Sequence, residues 1–371
     1  MKKINHIELI EVVKCAYKKK LSLFLYGHFG IGKSEHLKTI SQDIAKEKKK
    51  EFIEWNELSE EDKNKLVDNP KGKFVWIDCR LAEYSPDDIK GLPLFTSSNR
   101  AIEFKCPLWA LLLEQKGSDG ILALEEFGLA TPLVQSSVYK IVLDRQINQS
   151  KINDNWGVIG ATNMSDDRAY THEIASPLRD RALEFELSIC TGEAWQNWAI
   201  ENKIDSRIIG FLAFKSSNLY KVDFEDNSKY TTPRAWARLS KIIEGEEKIG
   251  VTGSGALGEG IFSQFVAFTK ISNKVKIQDI IKHPEKLKEF NKPEDLGIKY
   301  FIITALADCY REDKAKFKDI MNITEVLDEC KNPEFVSLLW RLCLSYKPEF
   351  EKEFVKGDTI KISNKYLKYL R

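Results

Sequence analysis

The octapeptide Gly27-His28-Phe29-Gly30-Ile31-Gly32-Lys33-Ser34 satisfies G-x-x-x-x-G-K-[ST], and no other feature of this chain narrows its fold as far. It follows the apolar run Leu21-Ser22-Leu23-Phe24-Leu25-Tyr26 and precedes Glu35-His36-Leu37-Lys38-Thr39-Ile40. Strand, glycine-rich loop and helix, in that order, are the context that a phosphate-binding P-loop requires. The glycines let successive backbone N–H groups converge on a phosphate that side chains would obstruct. The start of the helix adds the positive end of its dipole. All eight residues are therefore candidates for nucleotide binding. Lys33 would bridge the β- and γ-phosphates, and the Ser34 hydroxyl would ligand Mg²⁺.

The rest of the first half alternates in a way that suits such a loop. Phe74-Val75-Trp76-Ile77, Ile121-Leu122-Ala123-Leu124, Val158-Ile159-Gly160-Ala161 and Leu183-Glu184-Phe185-Glu186-Leu187 read as strands separated by helical segments. Continuous apolar strands are what a parallel sheet buried on both faces requires. The pattern predicts a three-layer α/β domain with a parallel sheet over residues 1–190. Residues 6–20 read as an amphipathic helix, with Ile10, Val13 and Ala16-Tyr17 at helical spacing from Ile7. The charged stretch 51–73, with the turn cluster Asn69-Pro70-Lys71-Gly72, reads as a peripheral insertion, and Gly91-Leu92-Pro93 as a loop. Beyond residue 190 the pattern is helical: a lid over 191–250, then a helical extension over 251–371.

Strand 121–124 runs into Glu125-Glu126, the Walker B arrangement of two acids at a strand end. The first, Glu125, would hold Mg²⁺ and the second, Glu126, would polarise the attacking water. An Asp is usual at the first position. Mg²⁺ keeps waters that absorb the shift from one extra methylene, so activity is expected to survive. Asn163, at the polar tip after strand 158–161, could hydrogen-bond that water or the γ-phosphate. Ser176-Pro177-Leu178-Arg179-Asp180-Arg181 places two arginines before the last strand. Either could enter a neighbour's site to neutralise transition-state charge, or cap helix carbonyls in its own chain. Thr231-Thr232-Pro233-Arg234 looks like a helix start. The helix dipole disfavours a cation there, so Arg234 points to an anionic partner such as a γ-phosphate. Gly253-Ser254-Gly255-Ala256-Leu257-Gly258 matches G-x-G-x-x-G, but no strand precedes it and a dinucleotide site is rejected.

Composition narrows the class. Hydrophobic residues are 43% and charged residues 30% of the 371, an ordinary globular balance, and the net charge of +1 advertises no global attraction to nucleic acid. The seven cysteines are dispersed without a C-x-x-C pair, which argues against a zinc site or disulfide framework. No apolar run is long enough to span a bilayer and the N-terminus lacks a signal core, so a cytoplasmic location is expected.

Together these segments resemble the MoxR-like AAA+ ATPases of the dynein-related branch, over about residues 20–250. Beyond the P-loop, the stretch from Asp78-Cys79-Arg80-Leu81-Ala82-Glu83 through Asp87-Asp88-Ile89-Lys90-Gly91-Leu92-Pro93 looks like that family's R-L-x…D-[LI]-x-G-[LIF]-P element. Gly120 to Ala130, with Pro132 and Gln135, is similar to its Walker B and following helix, and Thr232-Pro233-Arg234-Ala235-Trp236 to its sensor 2. The resemblance implies an AAA+ core, ATP and Mg²⁺ as cofactors, and ATP hydrolysis in a homo-hexameric ring. It implies a protein client, often one with a von Willebrand factor A domain. It also implies that Asn163 is sensor 1, Arg234 sensor 2 and Arg181 the arginine finger. Segments 94–106 and 145–156 resemble its helix-2 insert and pre-sensor-1 hairpin. Ala182 stands where the family usually has Phe, so Arg179 stays open as the finger. A nucleic-acid motor or helicase loader on the same core, and a slowly hydrolysing nucleotide switch, are the rival expectations.

Overall fold

The computed structural model describes residues 1–95, 102–148, 150–167, 172–222, 230–244, 249–273, 275–353 and 365–366. The chain divides into two compact units, Met1–Ile189 and Cys190–Arg371.

Unit 1 is a three-layer α/β P-loop core. Its sheet has seven strands: β1 (Lys2–Ile4), β2 (Ser22–Tyr26), β3 (Glu51–Glu54), β4 (Lys73–Arg80), β5 (Gly120–Glu125), β6 (Trp156–Thr162) and β7 (Ala182–Leu187). The spatial order is β1-β7-β2-β6-β5-β4-β3, and every pairing is parallel. All residues of β5 and β6 are buried, as central strands covered on both faces must be. One face presents Phe24, Val75, Ile77, Leu122, Leu124 and Val158 to the helices Leu108–Glu114, Pro132–Ser137 and Tyr139–Asp144. Helices His6–Lys19 and Lys33–Glu47 also pack on the sheet and bury Leu9, Val13, Leu37, Ile40 and Ile44. Because β6 lies between β2 and β5, the strand ends carrying the P-loop, Asn163 and the Glu125-Glu126 pair are neighbours.

Four expectations need correction. Helix His6–Lys19 starts where expected, fixed by a capping box in which Asn5 Oδ1 accepts from the Glu8 N–H at 2.9 Å and Glu8 answers on the Asn5 N–H at 2.8 Å. Its buried stripe, however, is Leu9, Val13 and Ala16; Ile7 is 71% exposed and Ile10 is exposed too. Stretch 51–73 is not wholly an insertion, since Glu51–Glu54 pairs with β4 as the edge strand. Gly91-Leu92-Pro93 leads into a strand, Leu92–Phe95, paired antiparallel with Ile102–Lys105. Finally, Lys2–Ile4 forms an edge strand on β7 that the N-terminal sequence did not suggest.

Unit 2 is helical, running from helix Gly192–Glu201 to helix Phe350–Glu353. One hydrophobic core extends from Trp195 to Tyr366. At its centre the rings of Phe211 and Trp236 pack on Phe265 at 5.5 and 5.7 Å. The G-x-G-x-x-G stretch contributes the short helix Val251–Ser254, and Gly258 caps helix Glu259–Thr269. No helix among the described residues is long and apolar enough to cross a membrane. Residues 96–101 and 149, within the two segments compared above with the helix-2 insert and the pre-sensor-1 hairpin, lie outside the described residues.

Candidate functional site

The P-loop leaves the C-terminal end of β2 and turns into helix Lys33–Glu47. Gly32 caps that helix at φ +92°, where a side chain would be strained. A Cβ on Gly27 would stand 2.9 Å from Ile31 Cδ1, so the loop closes tightly there. Lys33 is 9% exposed. Its ammonium donates to the Gly27 carbonyl at 2.7 Å, the His28 carbonyl at 3.0 Å and Asn163 Oδ1 at 2.9 Å. The lysine is thus held on the inner side of the loop, and Asn163 at the end of β6 joins it.

Ser34 sits at the start of the helix with its hydroxyl near the Glu125 carboxylate. Glu125 is 6% exposed, and its Oε1 is buried without a hydrogen-bond partner. Burial pushes its carboxyl up to about 7, and the nearby Asp78 adds to the push. The nearby Ser34 hydroxyl and the charges of Lys33 and Arg80 oppose it. A hydroxyl beside a carboxylate with an orphaned buried oxygen is an all-oxygen donor pair that suits a hard divalent cation such as Mg²⁺.

Glu126 is partly buried and lies at φ +55°, in left-handed backbone unusual for a residue with a side chain. Such backbone costs on the order of 1–3 kcal/mol and persists only where the surroundings enforce it. Here Leu129 N–H bonds the Glu126 carbonyl at 2.8 Å, and Gly128 N–H bonds Thr162 Oγ1 at 3.1 Å. Buried Gln135 braces the same turn through the Ala130 carbonyl at 3.2 Å. The Glu126 carboxylate is among the charges that act on Arg80.

The two finger candidates differ. Arg179 is committed within its own chain: Nε and Nη2 reach the two Glu184 oxygens at 2.8 and 3.1 Å, and Tyr26 donates to the same carboxylate at 2.8 Å. Arg181 is 60% exposed with one loose ion pair, to Asp144 at 3.7 Å. It precedes Ala182, which pairs with Ser22 at the start of β2, so it lies at the opposite end of the sheet from the P-loop. A strand of that length separates them by about 16 Å. Arg234 belongs to unit 2. It is exposed in the first turn of helix Pro233–Ile243, whose cap is Thr232 Oγ1 on the Ala235 N–H at 3.2 Å.

Two residues near the loop escaped the sequence reading. Buried Asp167 accepts the Phe29 N–H at 3.0 Å and pairs with His28 Nδ1 at 2.6 Å, fastening the first half of the P-loop. Asp78, on β4, approaches Glu125 from the adjacent strand. Asp78 stands at the polar end of an apolar strand and opens the family-like stretch 78–93, but neither gives it a role. Asp167 follows a strand by a few residues and carries no motif.

Residues 5–69 match the KAP family P-loop domain. That stretch contains β2, the P-loop and the helix that follows it. No curated protein matches the chain. Among solved structures, the chain is similar to a point mutant of RuvB from Thermotoga maritima, at 16% identity over 77% of this chain and 76% of that one, with a TM-score of 0.33. It is similar to ORC2 of Aeropyrum pernix at 13% identity over 74% and 71%, TM-score 0.36. It is similar to AMPPCP-bound DnaA of Aquifex aeolicus at 14% identity over 97% and 92%, TM-score 0.32. The P-loop match and the loop geometry agree on a P-loop NTPase-type nucleotide-binding core in unit 1.

Proposed function

We propose that the protein hydrolyses ATP at the P-loop end of unit 1 and works in the cytoplasm as a ring-forming AAA+ ATPase of the MoxR-like kind. The observation that carries the hydrolytic reading is the meeting of Lys33, Ser34, Glu125 and Asn163 at one end of the sheet, beside the constrained Glu126.

The P-loop amides and Lys33 bind the β- and γ-phosphates. Ser34 and Glu125 would hold Mg²⁺, which would supply charge neutralisation for the phosphates. Glu126 takes a proton from the attacking water. The new bond forms between that water oxygen and the γ-phosphorus, the bond to the β–γ bridging oxygen breaks, and ADP and phosphate leave. Asn163 orients the water. Arg181 cannot reach its own P-loop from the far end of the sheet and acts on a neighbouring subunit. Arg234, carried by the lid 191–250, senses the γ-phosphate.

The homo-hexamer and the client, a protein with a von Willebrand factor A domain, rest on the resemblance of residues 78–93, 120–135 and 232–236 to that family. Phosphate release from ATP, with and without Mg²⁺, tests the enzymatic core. Mg²⁺-dependent turnover that Lys33→Ala lacks is expected. Equal turnover in the variant would remove the assignment.

A further inference from the structure

Beside Ser34 opens a cleft of about 530 Å³ whose wall includes Asn56, Trp76, Asp78, Arg80 and Tyr84. Strand β4 delivers Asp78 to it. Asp78 pairs with Ala123, and Arg80 pairs with Glu125. Residues two apart on a strand share a face, so the Asp78 and Glu125 carboxylates rise from the same face of adjacent strands. Asn56 clamps the Asp78 backbone, donating to its carbonyl at 2.9 Å and accepting its N–H at 3.0 Å. Arg80 Nε donates to Asp78 Oδ2 at 3.4 Å. The other oxygen, Oδ1, is buried without a hydrogen-bond partner, as is Glu125 Oε1.

Two carboxylates with orphaned buried oxygens are costly unless something positive or hydrogen-donating stands between them. The cations at hand are already placed: Lys33 on the loop carbonyls and Asn163, Arg80 on Asp78 Oδ2, and Lys38, on the wall of the same cleft, on Glu54 at 2.7 Å. We propose that Asp78 is a second carboxylate of the divalent-cation site, accepting hydrogen bonds from waters of the ion that Ser34 and Glu125 hold. Mg²⁺ sheds its waters reluctantly and is commonly bound through one or two carboxylates, so a second acceptor at the edge of its shell suits its chemistry. The arrangement also accounts for Glu at the first Walker B position. With a second carboxylate beside it, Glu125 would not be the ion's only acidic partner, which suits a Glu where an Asp is usual. This inference rests on the nucleotide-site reading above.

The test is Mn²⁺ binding to the protein–ADP complex, followed by loss of the free-ion electron paramagnetic resonance signal. Asp78→Asn and Glu125→Gln should each weaken Mn²⁺ about 10-fold or more, the usual effect of removing a partner in or next to a metal's shell. ADP affinity without metal should stay unchanged, and Asp78→Glu should recover part of the loss. If Asp78→Asn binds Mn²⁺ as the wild type does while Glu125→Gln is weakened, Asp78 has no such role and the nucleotide-site reading stands. If neither variant changes Mn²⁺ binding, both fail. Should circular dichroism show Asp78→Asn unfolded, Asp78→Ser replaces it and is read the same way.

Discussion

The Lys33 ammonium and Asn163 Oδ1 are 2.9 Å apart, so the P-loop and the end of β6 are joined by a charge-assisted hydrogen bond. The bond fixes Asn163 beside the place where a γ-phosphate would meet the lysine. Asn163→Ala should therefore keep ATP affinity within a few-fold and lower turnover by about 10²-fold, the scale of losing one positioned donor. Binding of a non-hydrolysable ATP analogue and steady-state turnover, measured together, check this. Normal turnover would take Asn163 out of the reaction.

Asp167 holds the loop through Phe29 N–H and His28. Asp167→Ala removes that acceptor from the Phe29 amide and loosens the first half of the P-loop, although no motif residue is changed. Hydrogen bonds to a charged group contribute about 1.5–3 kcal/mol. ATP affinity should fall by roughly 10-fold or more, with a lowered melting temperature. Unchanged affinity by titration calorimetry would show that the loop holds its shape without the clamp.

His6 and His36 have ring centroids 4.1 Å apart, and a Cβ on Gly32 would lie 3.4 Å from the His36 ring. Burial lowers both to about 4, and for His36 the charge of His6 adds to it. The unfolded chain takes up protons on both below about pH 6.5, while the native state takes them up only near pH 4. Stability should fall as pH drops through that window and level off below it. Shifts of this size correspond to on the order of 3 kcal/mol per histidine. The difference in urea midpoint between wild type and His36→Phe, followed from pH 7 to pH 4, checks the slope. A difference independent of pH would contradict it.

Arg179 and Arg181 should separate cleanly. Arg179→Ala removes the cation from the Glu184 carboxylate, to which the Tyr26 hydroxyl still donates, so it should lower the melting temperature. Arg181→Ala should leave melting and ATP affinity alone and cut hydrolysis by roughly 10³-fold, the scale of arginine fingers. Mixing Arg181→Ala with Glu126→Gln subunits should restore activity, because some interfaces then pair an intact arginine with an intact glutamate. Activity per chain should also rise with protein concentration. Activity in the mixture no greater than in either variant alone would contradict action between subunits.

The parts of this fold that were legible in the sequence are those whose burial is two-sided. Strands β5 and β6 are runs of apolar residues because both faces are covered, and the P-loop is local in sequence. Helix His6–Lys19 shows the limit. Ile7, Ile10, Val13 and Ala16-Tyr17 keep helical spacing, and so do Leu9, Val13 and Ala16; Val13 and Ala16 are common to both, and only packing on the sheet selects Leu9 over Ile7 and Ile10. The edge strands Lys2–Ile4 and Glu51–Glu54 are short and charged, and they become strands only by pairing with a partner distant in sequence. In the site, the motif residues could be named in advance. Asp78 and Asp167 could not, because their roles come from neighbours that the fold supplies. The contrast between Arg179 and Arg181 depends on Glu184 in the same way.

The most direct test is Glu126→Gln. The amide keeps the shape of the side chain in its left-handed turn and removes the carboxylate that accepts the proton. ATP binding and steady-state phosphate release should be measured on the same preparation of wild type and variant. The expected result is unchanged ATP affinity with turnover reduced by about 10²–10⁴-fold. Near-normal turnover in Glu126→Gln would contradict the account.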